Sequence, residues 1–138
     1  MVADVKYEDI KIGDSASVVK KVTVEDVEAF AKVSTDTNPV HMSEEFAQTT
    51  MFKHRIAHGM LGAGLISAVL GTKLPGANTI YMGQTLQFLA PVYLDETITA
   101  TVTCTEKNDE KHRMKFETIC TNEAGKVVIK GEALVMKK

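Results

Sequence analysis

A chain of 138 residues, 44% apolar and 25% charged, has the length and composition of one folded domain rather than of a disordered segment. A net charge of −2 supplies neither the basic field that nucleic acid calls for nor a polybasic tail for a membrane surface. The longest apolar region, Ile56 to Leu70, falls short of the ~20 residues of a membrane span, and Asp4, Glu8 and Asp9 stand where a signal peptide would have its apolar core. No nucleic-acid or membrane partner is expected, and the chain reads as cytoplasmic. Cys104 and Cys120 occupy separate strand-like runs with no CxxC spacing. They read as reduced, buried thiols, with no metal and no cofactor expected.

In chain order, Gly13-Asp14 turns into a strand from Ser15 to Val22. Thr23 then caps a helix, with Asp26 as the short-armed partner of a capping box. Val24, Val27, Phe30 and Ala31 form its apolar stripe, and the pattern ends near Val33. Ser43 caps a second, short helix through Glu44, Glu45 and Ala47, with its acids in the first turn where the helix dipole favours them. The loop Thr49 to Arg55 carries Lys53, His54 and Arg55. The segment His58 to Gly71 is apolar on every side, which predicts a helix buried all round. Gly62, Ala63 and Gly64 cost helix propensity there, so they predict close approach of a sheet. Thr79 to Ala90, Thr97 to Glu106, Arg113 to Thr121 and Lys126 to Met136 read as antiparallel strands. The set predicts an α+β fold in one domain spanning residues 1–138, with a sheet curled around the central helix.

The chemistry concentrates in Asp36-Thr37-Asn38-Pro39-Val40-His41. Pro39 lacks a backbone donor and pushes Asn38 away from helical dihedrals, so this stretch is not expected to form regular helix. A stiff turn of this kind can aim a carboxylate and an imidazole at one small volume, as general acid–base chemistry requires. By its residues alone the hexapeptide also suits an ordinary turn followed by a surface or satisfied core histidine.

The run Ser34-Thr35-Asp36-Thr37-Asn38-Pro39-Val40-His41 resembles the signature of the MaoC-like, (R)-specific enoyl-CoA hydratases, which adopt the hot-dog fold. Phe46-Ala47-Gln48-Thr49-Thr50, Ala57-His58-Gly59-Met60-Leu61, Leu74-Pro75-Gly76, Ile80-Tyr81-Met82-Gly83-Gln84 and Phe88-Leu89-Ala90-Pro91-Val92 resemble the same family in order and spacing. Thr35 departs from the pattern, standing where many members carry Gly. The resemblance implies that Asp36 and His41 are the catalytic pair. It also implies a trans-2-enoyl thioester of coenzyme A as substrate, hydrated reversibly to the (R)-3-hydroxyacyl thioester. Gly59 falls where the family donates a backbone N–H to the thioester oxygen, although plain helix entry also accounts for it. Ser67, Leu70 and Val135 fall where the family lines its acyl pocket, which implies short chains; by periodicity they are core residues. Lys53 and Arg55 can meet the phosphates of coenzyme A or simply be solvated. His58 reads as structural. The resemblance further implies a two-fold homodimer. A hot-dog thioesterase, a non-catalytic acyl-thioester binding module and a dehydratase acting on acyl carrier protein are the alternatives.

Overall fold

The computed structural model describes residues 1–138. In chain order the elements are β1 (Ser15–Lys21), α1 (Val24–Ser34), α2 (Pro39–Met42), α3 (Glu44–Ala47), α4 (Gly59–Thr72), β2 (Thr79–Gln84), β3 (Gln87–Phe88), β4 (Thr97–Asn108), β5 (Arg113–Thr121) and β6 (Val127–Lys137). The strands form one antiparallel sheet in the order β1-β4-β5-β6-β2, with the short β3 also on β6. Connections between neighbours in this sheet are turns wherever the sequence places polar turn residues. The long excursion between β1 and β2 carries all four helices.

Strict alternation in β4 and β5 explains how the sheet holds α4. Ile98, Ala100, Val102 and Cys104 of β4, and Met114, Phe116 and Cys120 of β5, point to the buried face. Against them α4 packs Ala63, Ile66, Val69 and Leu70. Gly62 is where backbone and sheet come closest, since a Cβ there would lie 2.5 Å from Ile129 Cδ1. Burying these side chains is the main stabilising term, at about 25 cal/mol for each Å² of apolar surface removed from water.

Two expectations need correction. First, α4 is not buried all round within the chain. Met60 is 55% exposed, and Gly64, Ser67 and Gly71 follow it along one open stripe, with no atom within 4 Å of a Cβ placed on Gly64. Uniform apolarity predicts burial without saying what supplies it, and one wall is missing from the single chain. The stripe is matched by the exposed apolar residues Ile80, Tyr81 and Met82 of β2, a strand at the end of the sheet. Second, the Asp36 to His41 stretch is half helical, because His41 lies within the single turn of α2. Pro39 occupies the first turn of that helix, where its missing N–H costs nothing, and the extended Asn38 is the N-cap, its side chain accepting from the Val40 N–H at 3.2 Å. The same residues that bar a helix through Asn38 therefore start one after it.

Candidate active site

Helix α1 delivers the chain to the site. Its capping box is complete: the Asp26 N–H donates to Thr23 Oγ1 at 3.1 Å, and the Thr23 N–H donates to Asp26 Oδ2 at 2.9 Å. Thr35 ends the helix in the left-handed region, with φ of 67°. Glycine adopts that conformation at least cost, so a β-branched residue holds it under strain. Beyond it, the Asp36 N–H donates to Ser34 Oγ at 3.1 Å, and Asp36 Oδ1 accepts from the Asn38 N–H at 3.1 Å. These bonds fix an exposed carboxylate in a tight turn.

His41 is 9% exposed, and its Nδ1–H donates to the Ile56 carbonyl at 2.7 Å. A carbonyl only accepts, so Nδ1 carries the hydrogen and Nε2 keeps its lone pair. Burial holds the His41 pKa below the usual histidine range. The Ile56 carbonyl opposes that effect, the nearby His58 adds to it and Asp36 opposes it. The imidazole is thereby kept as a base at neutral pH.

A carboxylate oxygen of Asp36 and a ring nitrogen of each of His41 and His58 lie within 4.8 Å of one another. Their donors are close enough to approach one cation, with each ring already committing one nitrogen to a backbone carbonyl. Asp36 and His41 also share the wall of a cavity of about 630 Å³. Its apolar surface comes from Phe30, Met51, Phe52, Phe88, Leu89 and Val128, and Gly59 opens onto it at the start of α4. A Cβ on Gly59 would lie 2.6 Å from Phe88 Cε1, so a side chain there would push the exposed Phe88 ring aside. The first N–H groups of a helix have no partner within it, and His58 at the N-cap supplies no side-chain cap. The arrangement presents a carboxylate, an imidazole and uncapped helix N–H groups to one apolar volume.

Other predicted site residues lie elsewhere. Leu70 and Val135 are 1% and 0% exposed within the central core, and Ser67 sits on the open stripe of α4, so none of the three lines this cavity in the single chain. Their periodicity as core residues is what the structure reports for the two apolar ones. Arg55 is tied to the site from behind. Its Nε donates to the His41 carbonyl at 2.7 Å, its own N–H donates to Glu44 Oε1 at 3.0 Å, and its buried Nη2 has no hydrogen-bond partner. This guanidinium braces α2. Lys53 is exposed on the same loop, with φ of 69°. Sequence reasoning did not single out Met51, Phe52, Phe88 or Leu89 as cavity walls. The usable signal was the exposure of large apolar side chains, which only coordinates show.

With this geometry in place, comparison defines the class. The family profile described as MaoC like domain matches residues 11–126, and the chain belongs to that family. The (R)-specific enoyl-CoA hydratase of Rhodospirillum rubrum is 58% identical over 130 residues, covering 94% of this chain and 90% of that protein. The 3-hydroxybutyryl-CoA dehydratase of Methylorubrum extorquens is 43% identical over 129 residues, covering 94% and 82%. Among solved structures, the unliganded R-hydratase PhaJ1 from Pseudomonas aeruginosa superposes with a TM-score of 0.94 at 43% identity, covering 99% of this chain and 87% of that one. The fold is the expected hot-dog, a sheet wrapped on a central helix. No helix is long and apolar enough to cross a membrane.

Proposed function

We propose that this chain is an (R)-specific enoyl-CoA hydratase, adding water reversibly to a trans-2-enoyl-CoA to give the (R)-3-hydroxyacyl-CoA. The observation that carries the reading is the meeting of Asp36 and His41 on one apolar cavity beside the start of α4. Water must lose a proton as its oxygen bonds to C3, and C2 must gain one. His41 Nε2 suits the first task; the protonated carboxyl of Asp36 gives C2 its proton and regains one from the His41 imidazolium, so the pair ends as it began. Electron density displaced from the double bond collects on the thioester oxygen, and the Gly59 N–H is the donor placed for it. Water, a base, an acid and an oxyanion donor suffice, so the chemistry calls for no metal or cofactor. Lys53 is the cation available to the phosphates of coenzyme A. A short-chain preference accompanies this reading, supported by the relative whose name specifies a hydroxybutyryl substrate.

Crotonyl-CoA is the direct test. The expected result is loss of the enoyl thioester absorbance with (R)-3-hydroxybutyryl-CoA as product and no free thiol. Thiol release would identify a thioesterase, and binding without turnover a carrier module. Faster turnover on an acyl carrier protein thioester would move the assignment to the neighbouring dehydratase. The same assay against pH reports His41. Because burial lowers its pKa, the acidic limb of kcat/KM is expected below pH ~6.5, the ordinary histidine value. A limb above that value would remove His41 from the role of base.

The open stripe of α4 and the apolar end strand β2 favour a homodimer, with β2 pairing to its symmetry mate. Ser67 then comes to lie at the interface. Met82→Lys puts a charge on that edge and is expected to give a monomer with most activity lost. Sedimentation showing a fully active wild-type monomer at micromolar concentration would refute the dimer.

A further inference from the structure

His58 is the group that neither the dyad nor the oxyanion donor explains. It is 3% exposed, yet it does not cap α4 as an N-cap residue commonly does. Its Nε2–H instead donates to the backbone carbonyl of Asp36 at 2.8 Å. Nδ1 is left buried with no hydrogen-bond partner. The ring centroid lies 4.0 Å from that of His41, with the planes 31° apart, and 4.8 Å from that of Phe30 on α1. A buried polar atom without a partner is costly and needs a reason, and the compensation here is geometric. One imidazole is bonded to the acid's backbone, packed on the base's ring, and joined through a single peptide bond to the Gly59 N–H.

Resting on the hydratase reading above, we propose that His58 is the positioning residue of the site. It fixes the separation of Asp36, His41 and the Gly59 N–H by donating to the Asp36 carbonyl and supporting the His41 ring. These three groups come from a turn, a one-turn helix and the start of α4, and no regular hydrogen-bond ladder ties them together. Displacement of a catalytic group by about 1 Å can cost about 100-fold in rate, so a strut between these elements controls turnover more than affinity.

The charged and titratable groups facing His41 are Asp36 from the turn, His58 from the start of α4, and Arg55, whose Nε meets the His41 carbonyl.

The experiment compares His58→Phe and His58→Gln with wild type on crotonyl-CoA, reading kcat, KM and thermal midpoint. Phe keeps an aromatic face but loses the donor, and kcat should fall about 10- to 100-fold with KM changed by less than about threefold. Gln returns an N–H near the Nε2 position, so kcat should recover to within about fivefold of wild type. Near-native kcat in a folded His58→Phe protein would overturn the proposal, as would equal loss of kcat in both variants. Wild type in the same assay separates the two readings. If wild type hydrates crotonyl-CoA, only the His58 role is at stake; if it does not, the hydratase reading itself fails.

Discussion

Asp36→Asn and His41→Ala are each expected to fold as wild type does and to lose about 100- to 10,000-fold in hydration rate, the range for removing one proton-transfer group. The loss should fall on kcat. The apolar walls that hold the acyl chain are contributed by other side chains, so substrate affinity is largely kept. Asn preserves the acceptor oxygen that Asp36 Oδ1 offers to the Asn38 N–H, so the turn survives while the group that exchanges a proton is gone. Removal of the His41 ring leaves the Ile56 carbonyl without its partner and exposes one face of His58, so a small loss of stability accompanies the kinetic one. The two groups serve one proton relay, so the double variant should be little slower than the worse single one. Multiplicative losses would mean that the residues act in separate steps. Circular dichroism and the urea midpoint of each variant establish folding, and near-native turnover in folded His41→Ala would end the dyad assignment.

Gly131→Ala should give the largest loss of stability of any single methyl addition considered in this chain. A Cβ at this position in β6 would lie 1.8 Å from the Thr85 carbonyl oxygen and 2.7 Å from its carbon. Those are backbone atoms, and they cannot simply swing away. The Thr85 N–H donates to the Glu132 carbonyl at 2.9 Å, and Thr85 Oγ1 accepts from the Glu132 N–H at 3.0 Å, which pins the connection between β2 and β3 to β6. Relief requires that connection to lift, breaking both bonds. A cost of about 3 kcal/mol is expected, read as a lowered urea midpoint with unchanged slope. The connection leads directly to Phe88 and Leu89 in the cavity wall, so activity should fall in the protein that remains folded. A midpoint within about 0.5 kcal/mol of wild type would show that the crossing is looser than its hydrogen bonds imply.

Much of this molecule is dictated locally. The capping box at Thr23 and Asp26, the Ser43 cap, the alternation of β4 and β5 and the turns between strands are short-range consequences of side-chain chemistry and the two-residue period of a strand. They were therefore legible from the residues, whereas the pairing of Asp36 with His41 came with the family resemblance, since the hexapeptide alone also suits an ordinary turn. The same locality misled at Pro39, where a residue hostile to helix interiors begins a helix instead.

The sequence by itself determined the α+β class, the order of the main elements, the family and the two residues offered as acid and base, although the expected strand Thr79 to Ala90 divides into β2 and β3. Only the tertiary structure decided which surfaces meet. It brought Phe88 and Leu89 from beside β6 over Gly59, and it turned Arg55 inward to brace His41. It placed Leu70 and Val135 in the core, left one stripe of α4 open, and stacked His58 against His41. The physical reason is that periodicity records how apolar a face is, not what covers it. A contact between residues far apart in the chain leaves no local trace in either of them, because its energy exists only once the sheet has closed around the helix.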